Sequence, residues 1–168
     1  MALFSMKLEN LQQLFLKELR DLYDAEKQIT VALPNLIDAA KYPELKTALQ
    51  EHLDVTHQQI ARLDRVFEAL GEDPSGETCK GMKGVIKEGD DFISAGGDPS
   101  TVDAGIISAA QRVEHHEMAG YGTVRTYAEL LGQQEIAQLL QQTLDEEKDA
   151  DETLTEIARG VNLEAKAA

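Results

Sequence analysis

The sequence predicts an all-α four-helix bundle with a long crossover between its second and third long helices. Three observations carry this. The 168 residues include four prolines and no tryptophan, and Ala, Leu, Glu, Gln and Lys dominate, all residues that sit well in helices. Apolar residues recur at spacings of three and four over four long stretches, the pattern of a helix with one buried face. Glycines 76, 81, 84, 89, 96 and 97 crowd into one segment, and no stretch alternates as a half-buried strand does. With 42 % hydrophobic residues, the length supports one well-buried domain over residues 1–168.

The elements follow from the punctuation. The first helix spans about 6–40, and Pro34 should kink it or end it soon afterwards. The second spans 43–71, opened by a first-turn proline at Pro43 and stopped by Gly71. The crossover carries one short helix at 82–94. Asp98-Pro99-Ser100 is a helix-start signal, and the third long helix runs 99–131. The fourth runs 133–159 with Gly160 as its stop, leaving a frayed tail over 162–168. Two short connections flanking one long crossover define the ferritin-like variant of the bundle.

The acidic residues separate into two kinds. Most lie outside the apolar seams, but three interrupt them. The first helix reads Phe15, Leu19, Leu22, Glu26, Ile29, Leu33, Leu36. The second reads Leu45, Leu49, Leu53, Thr56, Ile60, Leu63, Phe67, Leu70. The third reads Ile106, Ala110, Val113, Glu117, Gly120, Val124, Tyr127, Leu131. The fourth reads Ile136, Leu140, Thr143, Glu147, Ala150, Leu154, Ile157. Glu26, Glu117 and Glu147 each fall near mid-helix, and a threonine interrupts the remaining seam.

A lone carboxylate in an apolar core costs several kcal/mol unless it is protonated, paired or metal-bound. Three at one depth need something positive between them. Few basic residues lie in the seams, so a bound metal is the economical answer. Oxygen donors with one imidazole suit iron or manganese, and less often zinc. Glu114 shares a side with Glu117, three residues on, and Asp151 lies one turn after Glu147. His52 falls about 30° nearer the second helix's stripe than His57 does, so His52 is the preferred nitrogen donor and His57 the second choice. The candidate metal ligands are therefore Glu26, His52, Glu114, Glu117, Glu147 and Asp151.

Other residues carry ordinary readings. Asp145, Glu146, Asp149 and Glu152 read as a solvated face. His115 and His116 cannot both face the core, and each reads as a surface or hydrogen-bonded residue. Tyr121 and Tyr127 read as core packing. Gly120 and Gly122 allow close helix approach or open a small space. Cys79 by itself supports no nucleophile.

Several stretches together resemble the YciE/YciF group of bacterial ferritin-like proteins. They are Ala25-Glu26-Lys27-Gln28, His52-Leu53 with Thr56-His57, Val113 through Gly122, Glu146-Glu147-Lys148 through Asp151, and Cys79 through Met82. The likeness covers nearly the whole chain and is most specific in the third long helix. It implies a homodimeric cytoplasmic protein linked to stress, with a rubrerythrin-like carboxylate site. The general di-iron pattern takes Glu-x-x-His from two helices. Here Glu147 is followed by Ala150 at the third position, and the second seam lacks a glutamate. One tightly held metal and two loosely held ones both fit.

Charge and composition bound the function further. Sixteen basic and 31 acidic residues give a net charge of −15, which repels phosphate backbones and argues against nucleic-acid binding. No apolar run approaches membrane-spanning length, no secretory signal is legible, and one cysteine makes no intramolecular disulfide. The partners expected are metal ions with O2 or peroxide. The function expected is Fe(II) oxidation or peroxide consumption. The alternative is a non-enzymatic helical stress protein with a metal-free polar core.

Overall fold

The computed structural model describes residues 8–168. It has five helices: α1 (Leu11–Ala39), α2 (Pro43–Leu70), α3 (Lys80–Ala95), α4 (Pro99–Leu130) and α5 (Gln134–Ala167). Among the described residues there is no strand, and no helix is long and apolar enough to cross a membrane.

Local chemistry sets most helix ends. The Asn10 side chain accepts from the Gln13 backbone N–H and caps α1, so α1 starts at Leu11. The sequence placed that start near Met6, which lies outside the described residues. α1 continues past Pro34 to Ala39. Pro43 opens α2, and Gly71 ends it in the left-handed region at φ 66°, a conformation open to glycine at little cost. The Asp98 side chain accepts from the Thr101 N–H and caps α4.

The fourth long helix departs from expectation. α5 passes through Gly160 and keeps helical geometry to Ala167, so residues 162–167 are not a frayed tail. Gly160 serves packing. A Cβ there would stand 2.7 Å from the Tyr42 Oη, and the next residue, Val161, is fully buried.

Four helices form a square in the order α1, α2, α5, α4, with α4 and α5 pairing most extensively. α3 lies outside the square, against α1 and α4. The apolar core is in two parts. One gathers Phe15, Leu19, Leu22, Leu63, Val66, Phe67, Val124 and Leu140. The other gathers Ile29, Leu33, Leu45, Leu49, Ile106, Leu154 and Val161. Between them lie buried Glu26, His52, Thr56, Gln59, Glu114, Glu117, Thr143 and Glu147.

The α1–α2 connection is held by a residue the sequence did not single out. Buried Asp103 on α4 accepts from the Tyr42 N–H at 2.7 Å and from the Lys41 N–H at 3.0 and 3.2 Å. It supplies what the start of α2 lacks, since Tyr42 makes no side-chain cap of its own. Removing this acceptor leaves two backbone donors without a partner. Asp103→Ala is therefore expected to destabilise the fold by about 2–4 kcal/mol, read as a lower urea midpoint with an unchanged slope.

Candidate metal centre

α1 contributes Glu26, α2 His52, α4 Glu114 and Glu117, and α5 Glu147. Glu114 and Glu117 project to one side because they lie three residues apart on a helix. One donor atom each from His52, Glu114, Glu117 and Glu147 lies within 4.8 Å of the others, and all four residues are buried. His52 Nδ1 is 3.5 Å from Glu114 Oε1. Glu26 stands beside this group, where the Tyr121 hydroxyl donates to its Oε1.

Of the six sequence candidates, the structure brings four into one cluster and sets Glu26 next to them. Asp151 lies apart on the rim of α5. Its Oδ1 is 3.3 Å from His115 Nε2 and accepts from Gln111 Nε2 at 3.2 Å. His57 is exposed.

Three residues have roles the sequence reading did not give them. Gln59 is buried and donates to Glu147 Oε1 and, at 3.2 Å, to Glu146 Oε2. Arg62 is buried and grips Glu146 with two hydrogen bonds of 2.8 Å, while donating to the Thr143 hydroxyl at 2.6 Å. Glu146 is thus half-buried and paired, not part of a solvated face, and the bundle does hold a basic residue. That residue is spent on the rim glutamate. The signal for Gln59 is the strict seven-residue series Leu45, His52, Gln59, Val66, which marks a coiled-coil-like seam. Following only the apolar residues through Leu53 and Ile60 displaces the stripe toward half-buried positions.

Tyr121 is fully buried, as packing requires, and also holds Glu26. Gly120 permits this depth: a Cβ there would lie 2.6 Å from Leu22 Cδ2. Gly122 meets nothing closer than Leu144, at 4.0 Å.

Burial governs the charge states. Desolvation first, and the neighbouring carboxylates next, raise Glu26, Glu114 and Glu117 well above the ordinary carboxyl range. Burial raises Glu147 to about 7, while hydrogen bonds from Glu114 and Gln59 restrain it. Burial lowers His52 to about 4, which keeps its imidazole neutral. Without a cation, the mutual repulsion of these carboxylates favours their protonated forms. Glu26 Oε2, His52 Nε2, Glu114 Oε2, both Glu117 oxygens and Glu147 Oε2 are buried without other partners. A set of inward lone pairs on hard donors, lacking protein donors to satisfy it, fits a metal ion.

The comparisons with known proteins agree with this architecture. The family DUF892, described as a domain of unknown function, matches residues 10–167. The chain belongs to the DUF892 family. Protein YciF of Escherichia coli K12 is 40 % identical over 163 residues, covering 96 % of this chain and 98 % of that protein. The solved structure of the E. coli stress protein YciF superposes with a TM-score of 0.88 at 40 % identity, covering 91 % of this chain and 97 % of that one. YcfI of Rhodopseudomonas palustris, provisionally described as a structural protein, gives 0.87 at 44 % identity, over 90 % and 97 % of the two chains. A protein of Xanthomonas campestris pv. campestris shares the fold, with a TM-score of 0.73 at 23 % identity over 95 % and 100 %. The YciE/YciF grouping is thereby established.

The raised carboxyls have a consequence for stability. A carboxyl with a folded pKa above its unfolded value of 4.5 stabilises the fold most below that value, and the contribution falls as pH rises toward the folded pKa. His52, lowered from 6.5 to about 4, acts oppositely between those values, but it is one group against four. Metal-free protein should lose stability from about pH 5 to about pH 8, by on the order of 3 kcal/mol from Glu147 alone. Urea unfolding across that range measures this, and a flat or rising profile would refute it.

Proposed function

We propose that this protein is a ferritin-like carboxylate metalloprotein of the stress response that holds non-haem iron, or manganese, in its core. The observation that carries the reading is the buried cluster of His52, Glu114, Glu117 and Glu147, whose donors lie within 4.8 Å of one another. Glu26 completes the set, and Asp151 steadies the rim. The stress association follows E. coli YciF, a stress protein.

Charge arithmetic supports the assignment. Glu26, Glu114, Glu117 and Glu147 can carry four negative charges, the amount that two divalent cations neutralise. Arg62 does not compete, because Glu146 already engages it. Bound iron would supply one-electron exchange with O2 or peroxide. The chain's own residues position the donors: Tyr121 holds Glu26 and Gln59 holds Glu147. A cavity of about 280 Å³ lined by Leu33, Leu49, Ala110, Val113 and Leu154 reaches His52 and Glu114. Its apolar walls suit a small oxidant on its way to the centre. In this reading the protein is a cytoplasmic homodimer.

A second reading draws on the same hydrogen bonds. Tyr121 to Glu26, Gln59 to Glu147 and Arg62 to Glu146 could form a metal-free polar core in a non-enzymatic stress protein. Metal analysis separates the two. After anaerobic Fe(II) loading and desalting, the first reading expects about two irons per chain, with Fe(III) absorbance appearing on exposure to air or peroxide. Glu147→Ala should abolish this retention with helicity largely intact. Desalted wild-type protein free of iron and manganese would establish the metal-free reading.

A further inference from the structure

Outside the core centre, a second set of donors meets where the crossover touches the bundle. Cys79 ends the crossover as the N-cap of α3, with its Sγ accepting from the Met82 N–H at 3.4 Å. His116 on α4 sets its Nε2 3.4 Å from that sulfur. Asp21 on α1 completes a group whose donor atoms all lie within 4.8 Å of one another. Cys79 is buried, whereas Asp21 and His116 are half-buried and reachable from solvent.

The position of Cys79 is fixed from both sides of its backbone. Its N–H donates to Asp24 Oδ2 at 2.8 Å, and its carbonyl accepts from Gln28 Nε2 at 3.1 Å. Asp21, Asp24 and Gln28 follow one another at helical spacing along one face of α1. The imidazole also depends on a missing side chain. A Cβ on Gly81 would stand 2.7 Å from His116 Cε1, so any larger residue would push the ring off its line to the sulfur.

We propose that Asp21, Cys79 and His116 form a second metal site, separate from the carboxylate centre and selective for Zn2+. The donor chemistry decides the metal. A thiolate, an imidazole and one carboxylate suit zinc, whereas the core centre has hard oxygens and no sulfur. Zinc bonds of about 2.3 Å to sulfur and about 2.0 Å to nitrogen place those two donors about 3.5 Å apart in a tetrahedron. The observed 3.4 Å matches. Three protein donors leave a fourth position for water.

Binding exchanges a proton for a cation. The sulfur–zinc bond forms as the S–H bond breaks, the proton leaves to solvent, and no electron moves. Without a cation, burial first and Asp21 next push the Cys79 thiol up to about 12, so the free residue is a neutral donor and not a nucleophile. The bound ion would tie α1, α4 and the crossover at one point.

Cobalt substitution tests this with a signature the core centre cannot give. Full-length Glu147→Gln protein, its core centre disabled, should bind one equivalent of Co2+ and show sulfur-to-cobalt charge-transfer absorption in the near ultraviolet. Zn2+ should displace it. Cys79→Ser should lose the band, and His116→Gln should weaken Zn2+ binding at least about tenfold. Zinc should raise the melting temperature of Glu147→Gln, and this rise should vanish in Cys79→Ser. Absence of the sulfur band, or unchanged zinc affinity in a folded His116→Gln variant, overturns the proposal. Failure of the wild-type protein to retain iron, with the sulfur band present, would count against the core reading alone.

Discussion

The structure depends on one electrostatic constraint: four glutamates lie at one depth inside an apolar bundle. No arrangement of leucines can satisfy them, and Coulomb repulsion between carboxylates strengthens as water is excluded. The molecule meets this in two ways. Burial and mutual repulsion raise the carboxyls and so favour their protonated forms, and a single donor reaches one oxygen each of Glu26 and Glu147. Both solutions leave inward oxygens free. Those unpartnered oxygens are concentrated in one layer between the two apolar clusters.

The surroundings of that layer divide labour by element. α1 and α4 approach closely at Gly120, which brings Leu22 and Tyr121 against the glutamates and closes that side to water. α2 and α5 meet through a polar contact, in which Arg62, Thr143 and Glu146 form a rim pair beside Gln59. One side of the centre therefore meets apolar groups and another a bidentate ion pair, while a cavity reaches it at His52 and Glu114. Replacing a buried pair with apolar groups often leaves stability unchanged, so the role of Arg62 here is to engage Glu146, while Glu147 accepts from Gln59.

Much of this was legible in the sequence because helical periodicity is a strong signal in long elements. The bundle class, the crossover and the three mid-helix glutamates all follow from apolar residues at spacings of three and four. What the periodicity leaves out is the polar part of a seam and the pairing of residues on different helices. His52 is legible as a donor, whereas Gln59 shows itself only in the seven-residue series with Leu45, His52 and Val66, beside an apolar stripe that runs through Leu53 and Ile60. Arg62 and Glu146 were missed because each reads as a surface charge until its partner on another helix is known. Gly160 reads locally as a helix stop, although Val161 stands seven residues after Leu154 and extends that stripe. The grouping of Asp21, Cys79 and His116 joins three elements distant in sequence and leaves no local pattern at all.

The division of the core into two apolar clusters bears on how the helices find their alignment. Apolar seams alone tolerate slippage, since one leucine replaces another after a shift of a turn, about 5.4 Å. A polar layer removes that freedom, much as a single buried asparagine fixes the register of a coiled coil. Sliding α5 by one turn would set Glu147 among Leu140-type neighbours and leave Gln59 facing carbon. The layer that makes the folded molecule costly to assemble also lets only one assembly form.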